Sequence, residues 1–385
     1  MDTPFPHSKF VTGKNFIGRK TDCILLGNLI SQGEHVSIYE PPKSGKTSLI
    51  QQTLFNLRFT GKQFTVGEMS CLNIRDAETF ICRLGSTVIK MAAASPEDYA
   101  TIALKYLGET HLVFDPNAFE ERGEILSTSW ELSADDILEV YRLPFRIAMD
   151  KGEKMILTID EFQNISFTEN DGDLLLRQLS SVIREMADAG NRNFCFIFCG
   201  SMVNAMKEIF ERNLLLRRRV ERVRLTPVGE KEIADHVHKG FLSSGKSVKI
   251  ELLEGACKLL KHNLWYINHF AYLADSMARG YIMEPTLVDA LECLIAIHQP
   301  RFEAIMNSLT THQVNLLKAT VAGVTRFSAS EIIRRYQLNS SANVKRVKDA
   351  LKKKEVLTFN EDDIPSFIDP LFEYWIRKYF FELAE

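Results

Sequence analysis

Apolar strands and amphipathic helices alternate along the first part of the chain. The segment EHVSIYE is rich in β-branched and aromatic residues and predicts a strand, and GKTSLIQQTLFNLRF then repeats leucine and isoleucine at helical spacing. Further strands are predicted in FTVGEMSCLNI, in MILTID and in NFCFIFCGS. The last of these is almost continuously apolar, which is typical of a parallel sheet covered on both faces. The pattern predicts an α/β core with a parallel sheet in a domain of residues 1–227, with the core beginning at about residue 14.

Two helical segments complete this predicted domain. A mostly helical stretch from Ala77 to Lys151, with interruptions at Ser95-Pro96 and Asp115-Pro116, predicts an insertion between the core strands. The segment DGDLLLRQLSSVIREMADAG predicts an amphipathic helix that ends at Gly190. We therefore expect helices on both faces of the sheet.

The pattern changes twice in the second half of the chain. Residues 228–300 predict helices only, with breaks near Gly245 and Gly280, and form the expected helical lid. Residues 301–385 predict three short helices and a two-stranded hairpin, which together make a winged helix-turn-helix. Ser328 and Glu331 have the spacing of a capping box at the start of the second of these helices.

Composition narrows the class of protein. The chain has 385 residues, of which 45% are hydrophobic and 25% are charged, as in soluble globular proteins of more than one domain. The net charge of −3 provides no general attraction to nucleic acid, so any such binding requires a local basic patch. The seven cysteines form no C-x-x-C pair, which favours buried thiols in a reducing compartment. Neither a signal peptide nor a membrane helix is evident, so a cytoplasmic protein without a membrane partner is expected.

The segment YEPPKSGKTSLI ends like a phosphate-binding loop between a strand and a helix. Backbone N–H groups at the start of a helix can surround a phosphate, and Gly45 lets the backbone approach without a Cβ in the way. Lys46 is expected to reach the β- and γ-phosphates, and the Thr47 hydroxyl is expected to hold Mg²⁺. Glu40 stands where the motif G-x-x-x-x-G-K-[ST] has its first glycine, and two prolines follow it. The phosphate-facing half of the motif is therefore intact, and its entry is altered.

An acid pair follows the strand MILTID. Asp160 is expected to hold Mg²⁺ with Thr47, and Glu161 is expected to polarise the attacking water. The separation of 113 positions between Thr47 and Asp160 implies that the helical stretch is an insertion or an elaborated crossover; otherwise Asp160 belongs to another domain.

Two further positions are weaker candidates for contacts with the nucleotide. Ser201 follows the strand NFCFIFCGS and either senses the γ-phosphate or simply ends the strand. The run LLLRRRVERVRL contains Arg217, Arg218 and Arg219, of which at most one is expected to act as an arginine finger, in cis or from a neighbour. We take Arg218 as that candidate. The alternative is a solvated charged face.

Basic residues cluster on the third helix of the predicted winged module, between Lys345 and Lys354. Such a helix can lie against DNA phosphates in a major groove. Asn343, just before these basic residues, is the one amide side chain that accompanies them, so direct reading of base edges is not evident. A protein-docking module with a solvated basic face is the alternative.

Taken in order, FIGRKTDCILLGNLI, YEPPKSGKTSLI, ILTIDEFQNI, FIFCGSM, RRRVERVRLTPV and FIDPLFEYWIRKYF resemble the archaeal-type ATPases of the AAA+ and STAND group. The resemblance spans nearly the whole chain and implies a P-loop core, a lid and a winged helix. It also implies that the segment Phe16 to Arg19 packs near the adenine, and that ATP is preferred to GTP. Leu264 departs from the pattern, because relatives often have a proline at this place in the lid. The residues then expected to bind nucleotide are Arg19, Pro42, Lys43, Ser44, Gly45, Lys46, Thr47 and Ser48.

Two functions fit these observations. The first is an ATPase that uses ATP, ADP and Mg²⁺ to switch the conformation of its lid and winged helix, with Lys46, Asp160, Glu161, Ser201 and Arg218 as its catalytic residues. The second is a nucleotide-gated DNA-binding or protein-scaffold module with little or no hydrolysis. A kinase using the same loop lacks an evident acceptor site.

Overall fold

The computed structural model describes residues 3–167 and 171–383, which form two compact units. We call the first the sheet unit, which comprises Lys20–Glu40 and Thr53–Leu225. We call the second the lid unit, which comprises the described residues of Met1–Arg19, Pro41–Gln52 and Thr226–Glu385. Helix α2 (Lys46–Phe59) begins in the lid unit and ends in the sheet unit.

A parallel sheet of five strands forms the centre of the sheet unit. Its strand order is β2-β5-β6-β1-β7. The bounds of these strands are β1 Val36–Tyr39, β2 Thr65–Ser70, β5 Met155–Asp160, β6 Phe194–Gly200 and β7 Glu221–Arg222. The α/β fold with a parallel sheet is therefore confirmed. The strand β7 is short and lies at the edge of the sheet, within the arginine-rich run.

The central strands are buried because helices cover the sheet. Every residue of β1 and β6 is buried, which explains why NFCFIFCGS is apolar at successive positions rather than at alternate ones. Phe198 of β6 packs against Phe162 and Phe210, with ring centroids 4.5 and 5.4 Å away. The helices of the core are α1 Lys20–Gln32, α7 Gly172–Asp188 and α8 Val203–Lys207, and π-helical Glu208–Arg212 follows α8.

The long segment between β2 and β5 is mainly helical, and it contains one feature that its sequence does not predict. Ser95 and Asp115 cap the helices that begin at Pro96 and Pro116, which confirms the two predicted interruptions. Between them, β3 (Leu112–Phe114) pairs antiparallel with β4 (Leu126–Thr128). The strands have three residues each, too few for a period of two to stand out from the surrounding helices. The helices of this segment are α3 Ala77–Ala92, α4 Pro96–Leu107, α5 Pro116–Arg122 and α6 Ala134–Lys151.

Within the lid unit, residues 228–283 form the lid itself, which consists of three helices and a short parallel pair of strands. The helices are α9 Glu230–Ser243, α10 Ile250–Leu259 and α11 Leu264–Met277, and the strands are β8 Ser247–Val248 and β9 Tyr281–Ile282. The expectation that residues 228–300 contain only helices is wrong, because β8 and β9 lie within this range. Strands of two residues are too short to have a recognisable pattern. Gly245 and Gly280 adopt φ values of +75° and +90°, so the predicted breaks near them are confirmed.

The C-terminal part of the lid unit consists of helices and an antiparallel hairpin, as expected for a winged helix. The elements are α12 Glu284–Asn307, α13 Thr311–Val321, α14 Ser330–Arg335, α15 Ser341–Lys353, β10 Leu357–Phe359, β11 Pro365–Phe367 and α16 Pro370–Trp375. Helix α12 runs across residue 300, where the sequence predicts a domain boundary. The predicted capping box is wrong, because Ala329 is the N-cap of α14 and makes no side-chain capping bond.

None of the helices in the described part of the chain combines the length and the apolar character that crossing a lipid bilayer requires.

Candidate functional site

The phosphate-binding loop of the sequence forms a tight turn at the start of α2. Lys43 and Gly45 adopt left-handed backbone conformations, with φ values of +63° and +97°. The Ser44 N–H donates to the Pro41 carbonyl over 3.3 Å, and the Leu49 N–H donates to the Gly45 carbonyl over 3.0 Å as the helix begins. Alternation between left-handed and ordinary conformations is the geometry of an anion-binding nest. The loop therefore has the backbone shape that its sequence predicts.

Two cationic side chains hold the carbonyl groups of this loop. Lys46 Nζ donates to the Pro41 carbonyl over 2.9 Å, and Arg19 Nη1 donates to the Ser44 carbonyl over 2.8 Å. Arg19 Nε also donates to the Thr226 carbonyl over 3.1 Å. A Cβ on residue 45 would lie 2.7 Å from Arg19 Nη1, so it would displace this guanidinium from the Ser44 carbonyl, and the positive φ of Gly45 itself favours glycine. Arg19, which the resemblance assigns to nucleotide binding, also braces the loop.

The loop forms one wall of a cavity of about 300 Å³ within the lid unit. The N-terminal segment forms a second wall and is fixed to α2, because the Val11 N–H donates to Ser48 Oγ over 3.1 Å and the Gly13 N–H donates to Gln52 Oε1 over 2.7 Å. The lid helices α9 and α11 form the third wall. The lining residues that the sequence did not single out include Val11, His236, Trp265 and Asn268.

Every residue predicted to bind nucleotide except Pro42 lines this cavity, and so do Phe16 and Ile17 of the FIGR segment. Leu264 lines it too, at the position where relatives often have proline. Lys46 and Ser48 are buried, whereas Thr47 and Pro42 are exposed. The N-terminal segment lines the cavity with both apolar and polar side chains, and the loop lines it with polar and cationic ones. A ligand with an apolar part and an anionic part would match this lining.

Lys43 connects the loop with the lid. Its ammonium lies over the ring of Trp265, 3.4 Å from the centroid. Burial lowers the pKa of Lys43, the charge of Arg301 lowers it further, and the Asp369 carboxylate raises it. Lys43 is therefore close enough to the winged helix to interact with its charges, a contact that spacing along the chain could not predict.

Trp265 and Tyr266 extend this connection to the winged helix. Trp265 Nε1 donates to the His7 carbonyl. Tyr266 is hydrogen-bonded to both carboxylate oxygens of Asp369, at 3.0 and 2.9 Å, and Arg301 Nη2 donates to the Tyr266 hydroxyl over 2.9 Å and to Asp369. Asp369 also caps α16. The segment that begins α11 thus contacts the loop, the N-terminal segment and the winged helix.

The sheet unit holds the acid pair at the carboxyl edge of its strands. Asp160 ends β5 and is exposed, and Glu161 follows with φ of +52° and donates its N–H to Asp160 Oδ1 over 3.0 Å. Ser201, at the end of β6, donates its hydroxyl to Glu161 Oε2 over 2.8 Å, and Gln163 donates to the same oxygen. Ser201 and Glu161 are therefore brought together. Gln163 was missed, because a glutamine three residues after an aspartate has no distinctive pattern.

Glu40 belongs to the sheet unit and follows β1 directly. The half-buried ammonium of Lys207 has a pKa that is lowered mainly by burial, raised by Glu211 and Glu40, and lowered by Arg222 and Arg224. Glu40 thus interacts electrostatically with a cation at the end of α8.

Arg218 lies at the amino ends of the parallel strands, whereas the acid pair lies at their carboxyl ends. It lines a cleft of about 140 Å³ together with Gly33, Glu34 and His35, which precede β1. Asp160 is the last residue of β5, so Arg218 and Asp160 lie at opposite ends of the strands of one parallel sheet. Arg217 and Arg218 are both exposed. The structure does not bring Arg218 together with the acid pair of its own chain.

Comparisons with known proteins agree with this architecture. The family model described as "Probable winged helix domain" matches residues 300–378. A search of curated proteins finds no match. A Walker-type ATPase of Pyrococcus abyssi is similar in structure, with a TM-score of 0.68 and 17% identity over 97% of this chain and 100% of that chain. The ORC2 protein of Aeropyrum pernix, in complexes with ADPNP and ADP, has a TM-score of 0.58 and 13% identity over 99% of this chain and 98% of that chain. This chain therefore has the fold of the P-loop AAA+ ATPases and ends in a winged helix domain.

Proposed function

We propose that this protein binds and hydrolyses ATP, and that the bound nucleotide sets the position of its lid and winged helix. The observation that carries the proposal is the cavity beside the phosphate loop, which the loop, the N-terminal segment and the lid helices line together. The nucleotide complexes of the Aeropyrum pernix protein, which shares the fold, support a nucleotide as the ligand.

The loop supplies what a polyphosphate requires. Its backbone nest and the start of α2 offer N–H donors to an anion, and the Lys46 ammonium adds a positive charge. The oxygen donors Thr47 and Asp160 suit Mg²⁺ in chemistry, and both side chains are exposed. Bound Mg²⁺ would neutralise charge that develops on the phosphates. Ser44 and Lys43 would contact the same anion from the loop.

The acid pair supplies the general base. Glu161 accepts hydrogen bonds from Ser201 and Gln163 through one carboxylate oxygen, which fixes its orientation. The other oxygen would orient a water for attack on the γ-phosphate. Asp160 and Glu161 end β5 at the carboxyl edge of the sheet, and the phosphate loop follows β1, a strand parallel to β5 in that sheet. Ser201 acts on the carboxylate in this scheme, rather than on the phosphate.

Arg218 would act on a nucleotide held by another copy of the chain. It lies at the amino edge of the sheet, whereas the loop follows the carboxyl end of β1. The four residues of β1 separate the two edges by about 13 Å. An exposed arginine at this edge suits an arginine finger supplied in trans.

The switch would use the contact between Lys43 and Trp265. In this structure, the Lys43 ammonium lies on the Trp265 ring. A phosphate in the nest would attract the same ammonium, because a charge-assisted hydrogen bond is stronger than an exposed cation–π contact. Movement of Trp265 would shift Tyr266, which is hydrogen-bonded to Asp369 of the winged helix.

A second candidate function is DNA binding by the winged helix. Lys345, Arg346 and Lys353 of α15 are exposed. Lys348 instead pairs with Asp363 and lies 4.6 Å from the Phe359 ring centroid, so it serves the fold of the hairpin. Three outward cations on one helix favour contact with DNA phosphates, with a protein partner as the alternative.

We expect Lys46→Ala to weaken ATP binding by about ten- to a hundredfold, because a charge-assisted hydrogen bond contributes about 1.5–3 kcal/mol. Calorimetry with MgATP measures the change. Lys62→Ala, which removes an exposed lysine of the sheet unit, is the control and should bind as the wild type does. Equal affinities for Lys46→Ala and the wild type would exclude the loop as the nucleotide site.

We expect Glu161→Gln to lower the rate of ATP hydrolysis by about a hundredfold or more, because the amide cannot serve as a general base. Phosphate release measures the rate, and calorimetry should show ATP affinity within about threefold of the wild type. Glu153→Gln, at an exposed glutamate before β5, is the matched control. Unchanged hydrolysis by Glu161→Gln would favour a binding module without this catalytic base.

We expect ATP to change the fluorescence of Trp265 when Trp130 and Trp375 are replaced by phenylalanine, because the Lys43 ammonium would leave the indole ring. Lys43→Gln should abolish the change without preventing ATP binding. Lys14→Gln, an exposed lysine that does not line the cavity, should retain it. A full fluorescence change in Lys43→Gln would contradict this coupling.

We expect a combined Lys345→Gln, Arg346→Gln and Lys353→Gln variant to weaken binding to duplex DNA. The slope of log affinity against log salt should decrease by about one for each residue that contacts a phosphate. The control replaces three exposed lysines elsewhere, Lys62, Lys90 and Lys231, by glutamine. Equal slopes in the two variants would indicate that α15 does not contact DNA.

A further inference from the structure

Trp130 is an exposed tryptophan in the helical insertion of the sheet unit. It follows β4 by two residues and is 73% exposed. Trp375, by contrast, is buried in α16, and Trp265 lines the cavity beside the phosphate loop. Tryptophan is highly buried on average, because burial of the indole removes about 150–250 Å² of surface from water. The exposure of Trp130 therefore calls for an explanation.

The segment that carries Trp130 is held at both ends by hydrogen bonds. Before Trp130, the Ser129 N–H and hydroxyl both donate to the His111 carbonyl, over 2.7 and 3.0 Å. After it, Ser133 caps α6 and forms a capping box with Asp136. The His111 N–H donates to Asp136 over 3.0 Å, which connects the two ends. The indole is therefore presented on a fixed backbone, and a fixed backbone loses little conformational entropy when a partner binds.

Carboxylates lie on both sides of Trp130 along the chain. Glu131 follows it directly, and Asp135 is in the first turn of α6. Glu78, in the first turn of α3, accepts a hydrogen bond from the Thr128 hydroxyl over 2.5 Å, which places this carboxylate at the end of β4. Glu78, Glu131 and Asp135 are exposed, and none of them forms a salt bridge within the described residues. Their charges are therefore available to a cationic partner.

The insertion around this segment is acidic. Residues 77–151 contain thirteen acidic but only seven basic side chains, whereas the rest of the chain has more basic than acidic ones. Such an excess of carboxylates repels polyanions such as nucleic acid and attracts cationic groups. The insertion therefore suits a different class of partner from the basic helix α15.

We infer that Trp130, Glu78, Glu131 and Asp135 form a docking surface for an arginine-rich segment of a partner protein. A guanidinium stacks on the face of an indole, and tryptophan is the aromatic residue that attracts cations most strongly. The planar guanidinium also donates two parallel hydrogen bonds to one carboxylate, which a lysine ammonium cannot do. None of the four residues lines the cavity beside the phosphate loop, so the inference goes beyond the proposed function and does not depend on it.

A second copy of this chain is a less suitable occupant. Helix α15 contains one arginine, Arg346, among its lysines. The run Arg217 to Arg219 is richer in arginine, but it forms a turn in which the Arg219 N–H donates to the Leu216 carbonyl over 3.0 Å. Arg218 and Arg219 also line the cleft beside β1. This run is therefore part of the folded sheet unit, whereas an extended segment is free to follow the indole and the carboxylates together.

The first test measures binding of a fluorescein-labelled hexa-arginine peptide to the full chain by fluorescence anisotropy. Trp130→Ala should weaken binding about fivefold, because it removes the cation–π contact. The midpoint of thermal unfolding should not change, since the side chain is exposed. A hexa-lysine peptide should bind the wild type more weakly than hexa-arginine does. Equal affinities for the two peptides, or unchanged binding by Trp130→Ala, would overturn the inference.

Two control variants of the same insertion separate this surface from general attraction to negative charge. Leu104→Ala removes another exposed apolar side chain, and Glu120→Gln with Glu121→Gln removes two exposed carboxylates of α5. Both should bind hexa-arginine as the wild type does, whereas Glu131→Gln with Asp135→Asn should bind it about three- to tenfold more weakly. Equal losses in the two pairs of carboxylate substitutions would contradict a specific surface.

Sedimentation of the wild type and of Trp130→Ala without peptide tests the second copy as the occupant. The two proteins should sediment alike at every concentration. Self-association of the wild type that Trp130→Ala abolishes would assign the surface to another copy of the chain and overturn the inference of a partner protein.

Discussion

The hydrogen bond from the Arg19 guanidinium to the Ser44 carbonyl holds the phosphate loop in the shape on which the site depends. Lys43 and Gly45 have positive φ, and for a lysine this conformation costs about 1–2 kcal/mol. The hydrogen bond from Arg19 to the Ser44 carbonyl offsets that cost, and Lys46 donates a second hydrogen bond to the Pro41 carbonyl. With two carbonyls of the loop bound to cations, its N–H groups remain the natural partners of an anion. Glycine suits position 45 because of its positive φ and because a Cβ would displace the guanidinium from the Ser44 carbonyl.

The parts of this molecule that local sequence determines could be predicted, and those that depend on distant contacts could not. The loop, β1 and the buried β6 follow from turn residues, spacing and continuous apolar character. The bracing role of Arg19 was not evident, because its partners are 25 and 207 positions away. The strands β3, β4, β8 and β9 were missed, since each has only two or three residues and neighbours that are mainly helical.

The number of basic residues on the third helix of the winged module is larger than the number of cations that this helix exposes. Helix α15 buries Val344, Val347 and Leu351 against the domain, which restricts its cations to the remaining faces. Lys348 and Lys352 lie over the ring of Phe359, with their ammonium groups 4.6 and 4.9 Å from its centroid. These two lysines therefore cover the ring of Phe359 with their side chains and their charged ends. The sequence shows the number of charges, and only the fold shows which of them face outwards.

The energy available at Lys43 limits how complete a switch this contact can drive. A cation–π contact is worth about 0.5–2 kcal/mol, and a charge-assisted hydrogen bond to phosphate about 1.5–3 kcal/mol. The difference of about 1 kcal/mol shifts a two-state equilibrium several-fold, whereas an almost complete change from one state to the other needs about 5.5 kcal/mol. The nucleotide must therefore bind the lid through other groups as well. Helix α11 lines the cavity through Leu264 as well as Trp265. A nucleotide that contacts this helix would add its binding energy to the same element that carries the switch, so binding and switching would depend on one helix.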